Sequence, residues 1–166
     1  MLSKGYRAAV ITASDKGCAG QREDLSGRYL TDSLESLGWQ VVSYSMLPDD
    51  KESISAELIR LADGGLCDLI LTTGGTGLSP RDVTPEATLA VADRLVPGIS
   101  EAMRAFSMTV THRAMLSRGV SVICGKTLII NMPGSKKAVQ ECFDVISGVL
   151  AHAVETLRGE SGDCAR

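Results

Sequence analysis

A chain of 166 residues is long enough for one well-buried domain and short for two, and 44% hydrophobic content fits a globular core. Aromatics at 4% leave that core to Leu, Ile, Val, Ala and Met, and a formal net charge of −3 argues against a general nucleic-acid or anionic-membrane surface. An anionic substrate must then be met by local groups, not by a global field.

The opening residues Met1-Leu2-Ser3-Lys4-Gly5-Tyr6 lack the apolar core of a signal peptide, and no apolar run approaches the ~20 residues that span a bilayer. A soluble, cytoplasmic protein is expected. Arg7 to Ala13 is nearly continuous in apolar residues, as in a strand covered on both faces. Leu25 to Leu37 carries leucines at 25, 30, 34 and 37 and reads as an amphipathic helix closed by Gly38. Trp39 to Ser45 reads as a second strand, Asp49 to Ala62 as a second helix and Asp68 to Thr73 as a third strand. A glycine loop follows, then a helix from Thr84 to about Asp93, and another over Ile99 to Met108 after Pro97-Gly98. Val120 to Cys124 and Thr127 to Asn131 are β-rich runs separated by Gly125-Lys126, the spacing of a two-residue hairpin. Ser135 to Leu157 is a long amphipathic helix, with a tail after Gly159 expected to fray.

No repeat, low-complexity tract or linker interrupts the chain, so residues 1–166 read as a single domain. The β-α-β-α-β-α order predicts an α/β fold: a three-layer α/β/α arrangement with a mostly parallel mixed sheet, helices on both faces and one antiparallel edge hairpin. Ligands in such folds bind beyond the carboxyl ends of the strands, at a switch in strand order. Four loops should meet there: Thr12-Ala13-Ser14-Asp15, Pro48-Asp49-Asp50, the glycine loop, and Asn131-Met132-Pro133-Gly134-Ser135.

The glycine loop carries the densest chemistry. Thr72-Thr73-Gly74-Gly75-Thr76-Gly77 ends a strand, and consecutive backbone N–H groups in such a turn can cradle an anion. It is no Walker A site, since no Gly-Lys-Ser/Thr follows, and Pro80 stands where a dinucleotide fingerprint needs its third glycine. Taken alone, Gly-Gly-Thr-Gly fits a tight strand-to-helix turn equally well. Thr84-Pro85-Glu86 then reads as an N-cap Thr, Pro at the first helical position and an acidic first turn, which leaves Asp82 on a loop just ahead of the helix. An Asp there is either a turn former or, beside Arg81 and an anion loop, a group that holds a phosphate and its metal ion.

Other polar residues have bland readings to weigh. Asp50 and Asp24 fit helix N-caps, Lys136-Lys137 a solvated face, and Ser117-Arg118 either an exposed helix end or a phosphate contact. The five cysteines, Cys18, Cys67, Cys124, Cys142 and Cys164, are scattered without a Cys-x-x-Cys pair, which suits reduced thiols and neither zinc nor a disulfide framework. Cys18 alone sits in a polar loop, with no histidine near in sequence. His152 falls in the last helix and reads as structural, while His112 is an outsider for a pocket edge.

Together these residues resemble a known pattern. Thr72-Thr73-Gly74-Gly75-Thr76-Gly77 followed by Arg81-Asp82-Val83-Thr84-Pro85-Glu86-Ala87 resembles the signature of the molybdenum cofactor biosynthesis proteins MogA and MoaB and the gephyrin G domain. The likeness continues through Ser14-Asp15, Leu47-Pro48-Asp49, Met115-Leu116-Ser117-Arg118 and Leu128-Ile129-Ile130-Asn131-Met132-Pro133-Gly134, in order and over nearly the whole chain. The resemblance is nearest to the molybdopterin adenylyltransferases. It implies transfer of AMP from Mg-ATP to the terminal phosphate of molybdopterin with release of pyrophosphate, ATP being the co-substrate and Mg²⁺ the cofactor. It implies Asp49 and Asp82 as the acidic positions central to activity and candidate Mg²⁺ ligands. It also implies Ser14, Asp15, Thr73, Gly74, Gly75, Thr76, Gly77, Ser117, Pro133, Gly134 and Ser135 as pocket-lining positions. A homotrimer, or a hexamer, and a molybdenum insertase as pathway partner come with it, and no nucleic-acid or membrane partner does. Because the attacking group is already a phosphate anion, no Ser-His or Cys-His pair is needed. Lys136-Lys137 depart from the Pro or Asn often found after the Pro-Gly turn. The alternatives are a MoaB-like pterin or nucleotide binder without robust turnover, and a scaffold module, against which the absence of a linker or second domain argues.

Overall fold

In the computed structural model, residues 5–160 are described. In chain order the elements are β1 (Arg7–Ala13), α1 (Asp15–Cys18), α2 (Leu25–Ser36), β2 (Gln40–Leu47), α3 (Lys51–Asp63), β3 (Leu69–Thr73), α4 (Thr84–Leu89), β4 (Arg94–Leu95), α5 (Pro97–Val110), a 3-10 helix (His112–Leu116), β5 (Ser121–Cys124), β6 (Thr127–Met132) and α6 (Lys136–Arg158). The tail expected to fray lies, beyond Glu160, outside the described residues, as does Cys164. Among the described residues no helix is long and apolar enough to cross a membrane.

The apolar runs are buried on both faces because they occupy the middle of one sheet of order β2-β1-β3-β6-β5-β4. β1, β3 and β6 run parallel, and their register places Val10, Leu71 and Ile130 in one row across the sheet. Side chains alternate between faces along each strand. Val10, Leu71 and Ile130 therefore meet one core built with α2, α5 and α6, where Leu30, Leu34, Met103, Phe143 and Ile146 are buried. Ala9, Ile11, Ile70 and Ile129 meet a second core with Ile54, Leu58, Leu61 and Ala87 from α3 and α4. The three-layer arrangement follows directly from that alternation.

The hairpin is present, with β5 antiparallel to β6 and Gly125 in its turn at φ +58°. A two-residue strand, β4, adds outside it and forms the true edge. To reach that edge the chain leaves α4 at Leu89, not near Asp93, so that the Asp93 and Val96 amides can donate to Ile123 and Ser121 carbonyls, both at 2.8 Å. At the opposite edge Ala8 pairs with Val41 and Ala9 with Ser43, so Val42 bulges from β2. A bulge increases local twist and blunts an edge strand. It also sets Tyr44 opposite Val10, on the α2 face, where its hydroxyl donates to Asp24.

Asn131 in β6 is a polar residue deeply buried in the sheet, 2% exposed. Its amide donates to Thr72 Oγ1 at 3.0 Å and Thr88 Oγ1 at 2.9 Å, and its carbonyl accepts from the Val120 amide at 3.1 Å. Thus one side chain ties β3, α4 and the start of β5 to β6. Asn131→Ala should lower stability by about 2 kcal/mol, because buried partners then lose their bonds without water to replace them. A urea melt checks this: the midpoint should fall at constant slope, and an unmoved midpoint would mean that the network contributes nothing.

Candidate active site

β1 has β2 on one side and β3 on the other, so the winding reverses at β1 and the loops beyond its carboxyl end part. A cleft of about 490 Å³ opens there. Its walls come from Thr12 to Asp15 at and just past the end of β1, Asp49 after β2, Gly74 and Gly75 after β3, and Gly134 and Ser135 after β6. The four loops expected from topology therefore converge.

The floor is backbone brought into close contact. Gly74 has φ +90°, and a Cβ there would stand 2.3 Å from the Ala13 carbonyl oxygen. Gly75 has φ +69°, and its Cβ would meet Thr84 Oγ1 at 2.3 Å. Thr84 itself is not the N-cap that its sequence context suggests. Val83 holds that position without a side-chain bond, and the buried Thr84 hydroxyl donates instead to the Gly74 carbonyl at 2.9 Å. Helix α4 is thereby stitched to the glycine turn. Thr73 Oγ1 donates to the Pro133 carbonyl at 2.6 Å, and Ser26 Oγ to the Gly134 carbonyl at 2.9 Å, fixing the opposite wall.

The carboxylates are organised in pairs. The Asp15 amide donates to Asp49 Oδ2 and the Asp49 amide to Asp15 Oδ1, both at 3.0 Å. Arg81 grips Asp15 with two bonds of 3.0 Å, and Asp82 Oδ2 accepts from the Ser79 amide at 3.0 Å. The Arg81 guanidinium, with the Asp49 amide second, holds the Asp15 carboxyl below its usual range. Asp49 is shifted the opposite way. Burial raises its pKa, the Asp15 and Asp82 charges add to that, and the Asp15 amide and Arg81 oppose it. Arg81→Gln should return the Asp15 carboxyl toward its ordinary value in a carboxyl NMR titration; a titration still as depressed would assign the shift to the Asp49 amide.

Asp49 Oδ1 accepts no hydrogen bond among the described residues and lies 3.3 Å from the Gly75 Cβ position. A partly buried carboxylate with an open oxygen and anionic neighbours is a fitting ligand for a cation. Among the described residues no group of three or more His, Cys, Asp or Glu is placed to hold a metal. That leaves one or two carboxylates, the donor set Mg²⁺ takes when substrate oxygens and water complete its shell.

Other assigned positions are divided. Ser14, Asp15, Thr73, Gly74, Gly75, Gly134 and Ser135 line the cleft with Asp49 and Asp82. Thr76 and Gly77 belong to the loop behind it, while Ser117 and Pro133 line a second cavity of about 210 Å³ with Met103, Ser107 and Cys142. His112 is exposed and lines neither cavity, and His152 is exposed on α6. Cys18 is exposed, yet partial burial together with Asp15 and Asp49 pushes its thiol pKa up, the reverse of an activated nucleophile. Asp24 and Asp50 do cap α2 and α3, accepting from the Gly27 and Ser53 amides. Asp24 also lines the cleft and accepts from Thr12 Oγ1 at 2.6 Å, which its capping position does not reveal. Lys136 lines the cleft with Lys16 and Arg22, whereas Lys137 faces Glu141 at 3.8 Å on the helix surface.

The fold and site are those of an open α/β protein with a glycine-floored, acidic cleft rimmed by cations at its switch point. More narrowly, the chain belongs to the family described as the probable molybdopterin binding domain, which matches residues 9–152. It is 38% identical over 152 residues to the molybdopterin adenylyltransferase of Helicobacter pylori J99, covering 90% of this chain and 86% of that protein. It is 43% identical over 149 residues to the Drosophila melanogaster molybdenum cofactor synthesis protein cinnamon, covering 89% of this chain and only 25% of that longer protein. The crystal structure of the molybdopterin biosynthesis enzyme MoaB from Thermus thermophilus superposes with a TM-score of 0.87 at 43% identity, over 93% of this chain and 97% of that one.

Proposed function

We propose that this protein is a molybdopterin adenylyltransferase that takes AMP from ATP with Mg²⁺ as cofactor. The observation that carries the reading is the juxtaposition of Asp49, with its open oxygen, and the Gly74-Gly75 floor within one cleft. In the reaction a terminal phosphate oxygen of molybdopterin attacks the α-phosphorus of ATP. A new phosphoanhydride bond forms, the α–β bond breaks, and pyrophosphate leaves with the electron pair. The nucleophile arrives as an anion, so no protein base must remove a proton. What the chain must supply is alignment and charge compensation.

The turn at Gly74 and Gly75 offers backbone N–H groups to phosphate oxygens. Lys16, Arg22 and Lys136 line the same cleft and make no ion pair among the described residues, so they are free to meet the triphosphate or the departing pyrophosphate. Asp49 and Asp82 would hold Mg²⁺, which when bound offsets phosphate charge. The smaller cavity shares the Pro133-Gly134 turn with the cleft, and its Ser117 and Ser107 edge suits a flat polar heterocycle such as the pterin.

Assembly and location extend the proposal. Exposed Phe106 and Val110 at the end of α5 and Met115 and Leu116 in the 3-10 helix form an apolar run suited to a homotrimer, or a hexamer, which light scattering would size. We place the protein in the cytoplasm, delivering its product to a molybdenum insertase. The MoaB name of the Thermus structure favours a second reading, binding without turnover. Incubation with Mg-ATP and anaerobic molybdopterin separates the two. Equal amounts of adenylylated pterin and pyrophosphate, lost when EDTA is added, support the transferase; tight pterin binding without product supports the second reading.

A further inference from the structure

Arg118 follows the 3-10 helix and, unlike Arg81, does not line the cleft. Its guanidinium is turned into the back of the glycine loop. Nε donates to the Gly77 carbonyl at 2.8 Å, Nη2 to the Asp82 carbonyl at 2.6 Å, and Nη1 to the Glu86 carboxylate. Its own amide donates to the Thr76 carbonyl at 2.9 Å. These acceptors bracket the segment that carries Asp82, from the last glycine of the turn to the first turn of α4. Each nitrogen is committed to the protein, which displaces the alternative of a direct phosphate contact.

The bracketed segment has little slack. A Cβ at Gly77 would lie 2.8 Å from Asp82 Oδ2, so the two ends of the segment nearly touch. The Asp82 amide donates to the Ser79 carbonyl at 2.9 Å while its carboxylate takes the Ser79 amide, so the carboxylate points wherever this small turn points. Arg81 ties the turn to Asp15 on the cleft side, and Arg118, from the segment that leads into β5, holds it from behind at Gly77, Asp82 and Glu86. A planar fork reaches two carbonyls and a carboxylate at once, which a single ammonium cannot.

We propose that Arg118 is a positioning residue that staples the 77–82 segment and so fixes the Asp82 carboxylate relative to Asp49. Its kinetic consequence rests on the transferase reading of the cleft. The experiment compares wild type with Arg118→Lys, Arg118→Met and Arg118→Ala, measuring kcat, KM for Mg-ATP and for molybdopterin, and amide hydrogen exchange. Lys and Met variants should lose about 10- to 100-fold in kcat, the usual effect of removing an orienting partner, with both KM values within about threefold. Exchange at the Asp82 and Thr84 amides should quicken while the β3 amides stay protected. Millimolar guanidinium should restore part of the activity of Arg118→Ala.

Three results would overturn the proposal. A raised KM for Mg-ATP at intact kcat would make Arg118 a phosphate ligand. A Lys variant equal to wild type would remove the need for the fork. Exchange quickened in β3 as well would reduce Arg118 to general stability. If wild type shows no turnover, the transferase reading fails by itself, and the exchange pattern still decides for or against the staple.

Discussion

Asp49→Asn and Asp82→Asn should each lower adenylyl transfer by about 10²–10³-fold, the scale on which single charge-compensating groups act in water-poor sites. The Asp49 variant is the more informative, because activity and stability should part. An Asn side-chain oxygen can still accept the Asp15 amide that now reaches Asp49 Oδ2, so the loop keeps its shape. What disappears is the charge, and the charge is a cost to the empty fold. Burial and two neighbouring carboxylates raise the Asp49 pKa above its ordinary 3.8.

A carboxyl whose folded pKa is raised keeps its proton longer in the native state. As pH climbs from the unfolded value through the folded one, the unfolded chain ionises first, and stability falls. At neutral pH that cost is fully present. Asp49→Asn should therefore melt at the same temperature as wild type or higher at pH 7, with the difference vanishing below the ordinary carboxyl range. Thermal melts across pH alongside turnover assays check both halves. A variant both inactive and markedly less stable at neutral pH would contradict the role of Asp49 as a functional charge held against the preference of the fold.

The second large effect is predicted at Gly74. Side chains at φ near +90° cost about 1–3 kcal/mol from backbone strain alone. At Gly74 a Cβ also meets the Ala13 carbonyl oxygen at 2.3 Å, and that oxygen belongs to the strand backbone and cannot swing aside. Gly74→Ala should thus lose both stability and activity, as β1 and β3 are pushed apart beneath the cleft. Gly125→Ala supplies the control: its φ is +58°, but a Cβ there has nothing within 4 Å. In urea melts Gly125→Ala should cost only its strain, and Gly74→Ala clearly more. Equal costs would show that the β1–β3 approach yields easily and that the floor of the site is not rigid.

Much of this arrangement is legible in the sequence where a pattern repeats. β1, β3 and β6 announce themselves as apolar runs, and Val139, Cys142, Phe143, Ile146, Leu150 and Val154 of the α6 stripe are buried as their spacing requires, while Val149, at the edge of that stripe, stays 52% exposed. The convergence of four loops follows from alternation of strands and helices alone. The legible parts end where single residues act across the chain. β4 is two residues long and the 3-10 helix five, too short to carry a period. Thr84 has the sequence context of a cap, yet bonding ten residues back to Gly74 decides its role. Lys136 and Lys137 are indistinguishable as neighbours, and only the path of α6 sends one to the cleft and the other to the surface. Arg118 likewise offers a bare cation in sequence; its acceptors lie 32 to 41 residues away. Asp49 and Asp82 are reachable through the family resemblance, because the physics of an isolated Asp in a loop fits a turn equally well.

The most direct test follows the fate of one phosphorus atom. Purified protein is given Mg-ATP labelled at the α-phosphate, in parallel with ATP labelled at the γ-phosphate, together with anaerobic molybdopterin. The α-label should appear on the pterin and the γ-label in pyrophosphate, with both signals absent when molybdopterin is withheld. If γ-label reaches the pterin, or ATP is split at the same rate without pterin, adenylyl transfer is not what this cleft performs.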